Sequence, residues 1–499
     1  MEVENVVMQE RSTKKQILLA FIAYFTTIAP GMSIGFSAVA LPSLQSDSNP
    51  NKLSLSEASW FASIVSVATP VGCFISGPIS DRYGRKTILL LINIITFLGW
   101  ILIAFAYDRT DNQYVILLAG RILTGLSTGL SSMPATVYVA EISCPKWRGI
   151  LTTASSIAFA SAILIVYILG FIFQEEWCKI CLITAVLPCV SMFLSVQYLP
   201  ESPTWLVSKS RIKEATDNLK SIWDFADLTE GIHEEIEKMV KNRDATKIGL
   251  AGSKRTLKSI IMKKIGYFKR PSCYKPFFIV LMYFFFQQFS GTLVIVFYAL
   301  DIVKQAGVTV HPYILICCIA LTRFIGSILV TCFSRNFGRR PPSILSGIGM
   351  TVCMALLCFY LNYDFSDKWN WMPVFCLIAY FFTSTLGFMS IPFAMSAECF
   401  PTKIRGTSTG LITCFAYIFN FIIVKSYPWM MEEFKPIGVF LFYGVIALIG
   451  TVFLYKYLPE TKGKTLAEIE EFFGGKPKAR PPIVLRGVVN EKEAVKMLQ

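Results

Sequence analysis

Apolar residues recur along the chain in runs of about 20 residues, the length that a helix needs to cross roughly 30 Å of hydrocarbon. Short polar connections separate these runs, and one longer polar segment divides them into two sets of six. The runs lie near residues 16–41, 58–80, 87–106, 113–140, 151–173, 178–199, 276–302, 311–333, 343–361, 371–396, 407–427 and 434–457. The pattern therefore predicts an all-α membrane protein with twelve transmembrane helices.

The same pattern divides the chain into five parts. We expect an N-terminus on the cytoplasmic side, an N-terminal six-helix bundle, a cytoplasmic linker with amphipathic helices, a C-terminal six-helix bundle and a cytoplasmic tail. Their predicted bounds are 1–15, 16–199, 200–275, 276–457 and 458–499. Within the linker, Leu219, Ile222 and Trp223 lie on one side of a charged helical pattern, so this segment is expected to pack beneath the bundles.

The composition agrees with a membrane protein. Of the 499 residues, 54% are hydrophobic and 16% are charged, and the mean hydropathy is +0.54. The net charge of +14 comes mainly from basic residues in alternate short connections, which is the bias of cytoplasmic loops. We therefore expect a multi-pass membrane protein with both termini in the cytoplasm, and the basic charge gives no reason to expect a nucleic-acid partner.

No residue pattern predicts an enzyme, a cofactor or a metal site. The fourteen cysteines lie mostly in apolar runs, where cysteine behaves as a small hydrophobic residue. Cys178 and Cys181 form a single CxxC, a weak signal without further ligands nearby. The only histidines, His233 and His311, lack the neighbours that a metal or catalytic site needs.

An internal repeat relates the two sets of runs. The segment AEISCPKWRG (140–149) reappears as AECFPTKIRG (397–406), and SDRYGRK (80–86) has a weaker echo in SRNFGRR (334–340). The spacing between the copies is nearly constant. Two matching halves predict two six-helix bundles related by an axis along the membrane normal.

The repeated charges predict a network at the inner ends of the helices. Arginines of the short glycine turns need carboxylate partners, and the glutamates of the repeat lie at the same ends. Such a network can form when the bundles close on the inside and break when they open, although the same charges would also satisfy the positive-inside bias alone. The expected gate residues are Asp81, Arg82, Arg85, Glu141, Arg148, Arg339, Glu398 and Arg405.

The stretch QQFSG (287–291) interrupts an otherwise apolar run. Two adjacent amides and a glycine would weaken a helix that only had to sit in lipid. An amide both donates and accepts, as a sugar hydroxyl does, and brings no formal charge into the membrane. Gln287 and Gln288 could therefore bind a ligand or join neighbouring helices, and Gly291 is expected to break or bend the helix beside them.

Six motifs in order resemble the sugar porter family of the major facilitator superfamily, and the short outer loops are most similar to insect facilitated trehalose and hexose carriers. The motifs are GPISDRYGRK, GRILTG, AEISCPKWRG, PESPTWL, QQFSG and LPETKGKT. The resemblance covers nearly the whole chain. It implies the major facilitator fold, alternating access and one substrate site near the bilayer midplane, where Gln287 and Gln288 match the paired glutamines that bind sugar hydroxyls.

Several positions depart from the family pattern. Leu293 replaces an expected Asn, with Thr292 beside it as a partial substitute, and Ser156 stands where many relatives have Gln. Aromatic residues remain that could stack on a sugar ring or simply pack between helices: Phe393, Phe297, Tyr298 and Tyr417.

Arg323 is the largest departure, because it replaces an Asn or Gln of the eighth helix. A guanidinium near the midplane costs about 2.5–3.5 kcal/mol on the insertion scale, so it should face the water-filled cavity or a partner. Three interpretations follow: it binds a sugar in a bidentate manner, it attracts an anionic substrate, or it pairs with a carbonyl or carboxylate and only holds the shape of the site.

The first helix lacks a proton-binding group. Proton-driven relatives have a carboxylate there near an arginine of the fourth helix, whereas this chain has Ser37 together with Arg121. We therefore expect uniport. Together with the family resemblance, the expected protein is a monomer in the plasma membrane that carries a sugar, trehalose or hexose. Two alternatives stay open: a receptor-like protein that binds sugar without transport, and a carrier of an organic anion.

Overall fold

The computed structural model describes most of the chain. The described residues are 2–47, 51–107, 112–174, 176–223, 270–305, 311–363, 371–400, 405–462 and 466–474, with 232, 235–237, 239–241, 243 and 369 between them. The linker beyond 223 is covered only at those few positions. His233, most of that linker and the tail after 474 therefore lie outside the description.

The N-terminal half contains six helical spans, several of them in two segments. They are Glu2–Phe25 with Ile28–Leu44, Leu55–Tyr83, Arg85–Phe105, Gln113–Ser131 with Pro134–Ile142, Pro145–Thr153 with Ser155–Phe173, and Trp177–Tyr198. The first helix begins well before the expected residue 16. It bends by 43° at Thr26 and Thr27, whose hydroxyls donate to the carbonyls of Ala23 and Tyr24.

The C-terminal half repeats this organisation. Its helices are Pro271–Phe289, Thr292–Phe297 and Ala299–Gln305 in span 7, Pro312–Phe337 in span 8, Arg340–Asn362 in span 9, Met372–Leu386 with Ile391–Glu398 in span 10, and Arg405–Tyr457. The last helix contains spans 11 and 12, since Lys435 breaks it with φ 58° and ψ 169°. With span 7 in three segments, the helices account for the twelve predicted spans.

Short helices pack against the ends of the spans that carry the glycine turns, which we call the inner ends. Pro203–Ser208 and Ile212–Trp223 follow span 6, and Leu466–Phe472 follows span 12. Trp205 donates to the carbonyl of Asp81 at 3.0 Å, and Leu219 and Ile222 are buried. The first part of the linker thus packs against the inner ends of the N-terminal half.

Hydrogen bonds that join the two halves lie at mid-depth or nearer the opposite, outer ends. Tyr167 donates to the carbonyl of Val296 at 2.7 Å, and Asn420 donates to Ser66 Oγ at 2.8 Å. Lys425 Nζ, from span 11, donates to Ser59 Oγ at 2.7 Å and lies 4.3 Å from the ring centroid of Trp60. These contacts join the halves at mid-depth and toward the outer ends.

Candidate functional site

Span 7 breaks at the predicted glycine. Gly291 has φ 86°, and a Cβ there would lie 2.5 Å from the ring of Tyr443, so no other residue fits without movement. The break frees backbone carbonyls, and side chains satisfy them. Ser290 and Thr292 both donate to the carbonyl of Gln287, at 3.0 and 2.9 Å, and Tyr380 donates to that of Ser290. The interruption is therefore a stable part of the fold.

The two glutamines lie just before this break and are 2% and 3% exposed. Gln287 Nε2 donates to the carbonyl of Met389 at 3.2 Å, where span 10 is also interrupted. The Oε1 atoms of Gln287 and Gln288 are buried without a hydrogen-bond partner among the described residues. A buried acceptor left unpaired costs about 1–3 kcal/mol. Gln287 thus joins spans 7 and 10, and the pair keeps two unpaired acceptors.

Arg323 lies at the interface of the two halves and is 6% exposed. Its guanidinium carbon is 5.1 Å from the ring centroid of Phe159, on span 5 of the other half. Nη1 has no hydrogen-bond partner in the described part of the chain. The side chain therefore combines a cation–π contact with an unused donor.

The other predicted binding residues occupy different surroundings. Phe393 is half exposed and packs edge-on against Phe284 of span 7, with ring centroids 4.9 Å apart. Ser156 donates to the carbonyl of Thr153 at 2.8 Å, and Tyr417 is half-buried. Tyr298 lies farther out, against Tyr427. The structure gathers Gln287, Gln288 and Thr292 at one break, and the assignment of the whole set to substrate binding stays a prediction.

The charged residues of the inner ends pair within each half. Arg85 contacts Glu141 through Nε and Nη2, both at 3.1 Å, and Asp81 through Nη1 at 3.1 Å. Arg339 Nη2 contacts Glu398 Oε1 at 2.8 Å. The two pairs are related by the internal repeat.

The remaining predicted gate residues make other contacts or lie outside the description. Arg148 is exposed and donates to the carbonyl of Ser143 at 3.1 Å. Arg82 is exposed beside the ring of Tyr83. The side chain of Arg405 is not among the described ones. A role of these residues in gating stays a prediction.

Two glutamates that the sequence analysis did not single out complete these clusters. Glu201 accepts from the backbone N–H of Arg85 at 2.9 Å and of Lys86, at the start of span 3. Glu460 accepts from the N–H of Arg339 at 2.9 Å and of Arg340, at the start of span 9. The helix dipole favours a carboxylate at this end. The sequence feature that could have identified these two glutamates is the Pro-Glu pair that follows each half, in PESP and in PETK.

The glycine turns leave room for these carboxylates. Gly84 and Gly338 have φ 108° and 72°, and a Cβ at either would approach the glutamate oxygen to 2.2 or 2.6 Å. The residue after each glutamate also contributes: Ser202 contacts Glu141, and Thr461 donates to Glu398 at 2.7 Å. Each half therefore has one clamp made of a glycine turn, two carboxylates and an arginine.

Comparisons with known proteins agree with this architecture. The family model described as Sugar (and other) transporter matches residues 19–473. The chain belongs to the sugar transporter family. Among its relatives, Facilitated trehalose transporter Tret1 of Apis mellifera ligustica is 29% identical over 92% of this chain and 88% of its own length. Solute carrier family 2, facilitated glucose transporter member 8 of Mus musculus is 27% identical over 93% and 95%.

Solved structures of the xylose transporter XylE from E. coli share the fold. Its inward open conformation superposes with a TM-score of 0.74 at 20% identity, over 92% of this chain and 99% of that one. XylE described as a proton:xylose symporter bound to 6-bromo-6-deoxy-D-glucose gives 0.70 at 19% identity, over 93% and 100%. This member of the sugar transporter family therefore has the major facilitator fold, as the sequence predicted.

In this sugar transporter a fully buried arginine has only neutral partners. Arg121 donates to the carbonyl of Ser33 at 2.6 Å, to the carbonyl of Phe61 at 3.1 Å and to the hydroxyl of Ser37. The rings of Phe36 and Phe61 lie 5.9 and 4.8 Å from its guanidinium carbon. No carboxylate contacts Arg121 within the described residues. Carbonyl dipoles and aromatic faces replace a counter-charge here.

Glu460, which follows the transporter's last span, is expected to stabilise the folded protein. Burial alone raises the pKa of Glu460, but the N–H groups of Arg340, Lys462 and Arg339 outweigh this effect and hold the pKa below its ordinary value of 4.5. After allowance for solvent screening, Glu460→Gln should lower the melting temperature of the purified protein by about 1–3 °C. Scanning fluorimetry checks this result.

The pH dependence of this loss gives a second readout. Because the folded-state pKa is lowered, the stabilisation is present above about pH 4.5 and is lost as the pH falls through the folded value. The difference between native and Glu460→Gln proteins should therefore shrink in acid. Glu471→Gln, at an exposed glutamate of the following helix, is the control and should leave the melting temperature unchanged. An equal shift of the melting temperature in both variants would contradict the stabilising role assigned to the Glu460 carboxylate.

Proposed function

We propose that the protein carries a sugar, trehalose or hexose, across the membrane by facilitated diffusion and alternating access. The buried carboxamides of Gln287 and Gln288 support this proposal most directly. Their unpaired Oε1 atoms lie beside a helix break. A sugar hydroxyl can donate a hydrogen bond to these oxygens without bringing a charge into the membrane. The names of the relatives, a trehalose transporter and a glucose transporter, agree with such a substrate.

We infer uniport from the surroundings of Arg121. A proton-coupled carrier needs a group that binds and releases a proton during the cycle, and a carboxylate facing an arginine can do so. Here the facing group is the hydroxyl of Ser37, which does not titrate in the physiological range. The sugar gradient alone then drives the net flux.

The remaining parts of the proposal concern location, assembly and orientation. The protein acts in the plasma membrane as a monomer, with both termini in the cytoplasm, and it catalyses no covalent reaction. The basic residues of the inner connections support this orientation, since Arg82, Arg85, Arg339 and Arg340 all lie at one face.

Uptake by sealed vesicles that contain the purified protein tests the function. Labelled glucose or trehalose should enter down its gradient, at a rate that does not change when the medium is acidified or when the proton gradient is dissipated. Protein-free vesicles are the control. Binding of sugar without flux would support a receptor instead, and flux that requires a proton gradient would refute uniport.

Arg323 supports a second candidate, a carrier of an organic anion. Its unused Nη1 donor lies at the interface between the halves, where an anionic group could reach it. A labelled small carboxylate belongs in the same uptake assay. If the carboxylate is taken up and Arg323→Gln removes its uptake while improving that of the sugar, the anion is the native substrate. If Arg323→Gln weakens sugar uptake and the carboxylate does not enter, the arginine serves the sugar.

A further inference from the structure

A single lysine of the C-terminal half reaches three groups of the N-terminal half at their outer ends. Lys425, on span 11, donates from Nζ to Ser59 Oγ at 2.7 Å and to the carbonyl of Ser56 at 3.4 Å. Its ammonium also lies 4.3 Å from the ring centroid of Trp60. Ser59 donates its own proton to the carbonyl of Ser56 at 2.7 Å, so its hydroxyl oxygen is left to accept from the lysine. All three groups belong to the first turns of span 2.

The charge of Lys425 is unusual for its position. Lysine and arginine favour the cytoplasmic side of a membrane protein, and Lys425 lies at the end of its span that is opposite the glycine turns. No carboxylate contacts it among the described residues, and its partners are a hydroxyl, a carbonyl and an aromatic face. Water can replace such neutral partners when the ammonium is pulled away, so this contact is suited to opening and closing repeatedly.

The same two spans stay in contact farther inward. Phe421, one turn before Lys425, packs against the other side of the contact, with its ring centroid 5.8 Å from that of Trp60. Asn420 then donates to Ser66 Oγ at 2.8 Å, and both residues are 2% exposed. Spans 2 and 11 are therefore closed against each other over their outer part.

Toward the inner ends the two spans leave open space. Gly77 lies about five helical turns after Ser59 and hence on the same face of span 2. It is exposed, and a Cβ built there would meet no described atom of another element within 4 Å. A Cβ at Gly410 of span 11 would likewise meet none. The seam between spans 2 and 11 is thus closed at the outer end and open at the inner end.

We propose that Lys425, Ser59 and Trp60 form an outer latch, which keeps the outer end of the carrier closed while the inner end is open. This inference rests on the proposed alternating access and adds residues that set the balance between its two states. When the carrier opens outward, spans 2 and 11 separate and the Lys425 ammonium moves into water. A contact that is made in only one of two states favours that state by its full worth.

The accessibility of Ser66 from outside tests the outer latch. Ser66 lies about two turns inward from Ser59, so a membrane-impermeant maleimide outside intact cells should reach Ser66→Cys only when the outer seam opens. In this background, Lys425→Met keeps the length of the side chain but removes its charge. It should raise the labelling rate at position 66 at least about fivefold, which corresponds to about 1 kcal/mol. Mass spectrometry of the labelled peptides separates position 66 from the native cysteines.

Further variants make the result specific. Lys425→Arg keeps the charge, the donors and the aromatic contact, and should label at nearly the native rate. Ser59→Ala and Trp60→Leu remove one partner each and should raise the rate at least about twofold. Lys52→Met is the matched control, because this outer lysine pairs with Asp47 of its own half, and it should leave the rate unchanged.

An unchanged rate in Lys425→Met, or an equal rise in Lys52→Met, would overturn the outer latch. Labelling of Lys425→Arg as fast as that of Lys425→Met would do the same. If Lys425→Met does not reach the cell surface, unchanged rates in both Ser59→Ala and Trp60→Leu overturn the proposal.

The labelling needs no sugar, so its outcome is separate from that of the transport proposal. Sugar uptake by vesicles together with labelling that ignores Lys425 would refute the outer latch and leave the carrier in place. Labelling that depends on Lys425 without any uptake would refute the carrier, and the latch would stand as a feature of the two halves.

Discussion

Replacing Gln288 by leucine is expected to lower sugar uptake at low substrate concentration at least about fivefold. Leucine has nearly the same size, so the main change is the loss of the amide that we place against a sugar hydroxyl. A hydroxyl left unpaired in the buried site costs about 1–3 kcal/mol, which corresponds to roughly 5- to 150-fold in affinity. Initial rates of uptake, normalised to the amount of protein in the vesicle membrane, measure the effect.

Gln113→Leu is the matched control. Gln113 is a glutamine of span 4 that is 7% exposed, and its Oε1 also has no hydrogen-bond partner among the described residues. It lies at the outer start of the span, away from the break in span 7. We expect uptake to stay within about twofold of the native rate. If both variants lose uptake equally, the glutamines of span 7 act through packing and not through the substrate.

Replacing Ser37 by aspartate is expected to make transport depend on pH. The new carboxylate would face Arg121 Nη2, which now contacts the serine hydroxyl. In its charged form it would pair with the arginine and hold spans 1 and 4 together, and protonation would release them. Uptake should therefore rise as the medium is acidified. Above the pKa of the new group, each pH unit changes its protonated fraction about tenfold.

The same experiment separates charge from shape. Ser37→Asn places a group of the same size beside Arg121 but adds no titratable proton, so its uptake should stay independent of pH. Vesicles with an acidic medium and a neutral interior should accumulate sugar above the outside concentration only with Ser37→Asp. A pH response in Ser37→Asn, or none in Ser37→Asp, would contradict the role assigned to Arg121 and its partner.

Local features of the sequence predicted much of the fold. The apolar runs gave the spans, because a membrane demands about 20 apolar residues whatever their neighbours are. Gly291 predicted the break in span 7, since its φ of 86° suits glycine and a neighbouring ring leaves no room for a Cβ. The early start of the first helix was missed, because Glu2–Phe25 continues into charged residues that hydropathy does not count as part of a span.

Contacts between distant residues could not be predicted in the same way. The sequence offered several arginines as partners of Glu141, and only the packing of spans 2, 3 and 4 brings Arg85 to it. Glu201 reaches the N–H groups of Arg85 and Lys86 across more than a hundred residues of chain. The position of Arg323 against Phe159 likewise depends on how the two halves meet.

The clamps at the inner ends have a consequence for the energetics of switching. Each clamp lies within one half, where charge-assisted bonds such as Arg85–Glu141 and Arg339–Glu398 join the inner ends of its helices. By contrast, the hydrogen bonds between the halves come from Tyr167, Asn420 and Lys425. Each contributes about 0.5–3 kcal/mol. We therefore expect that rocking one half against the other would break the hydrogen bonds between the halves and leave both clamps intact, so that the carrier could reorient without a coupled ion, as the proposed uniport requires.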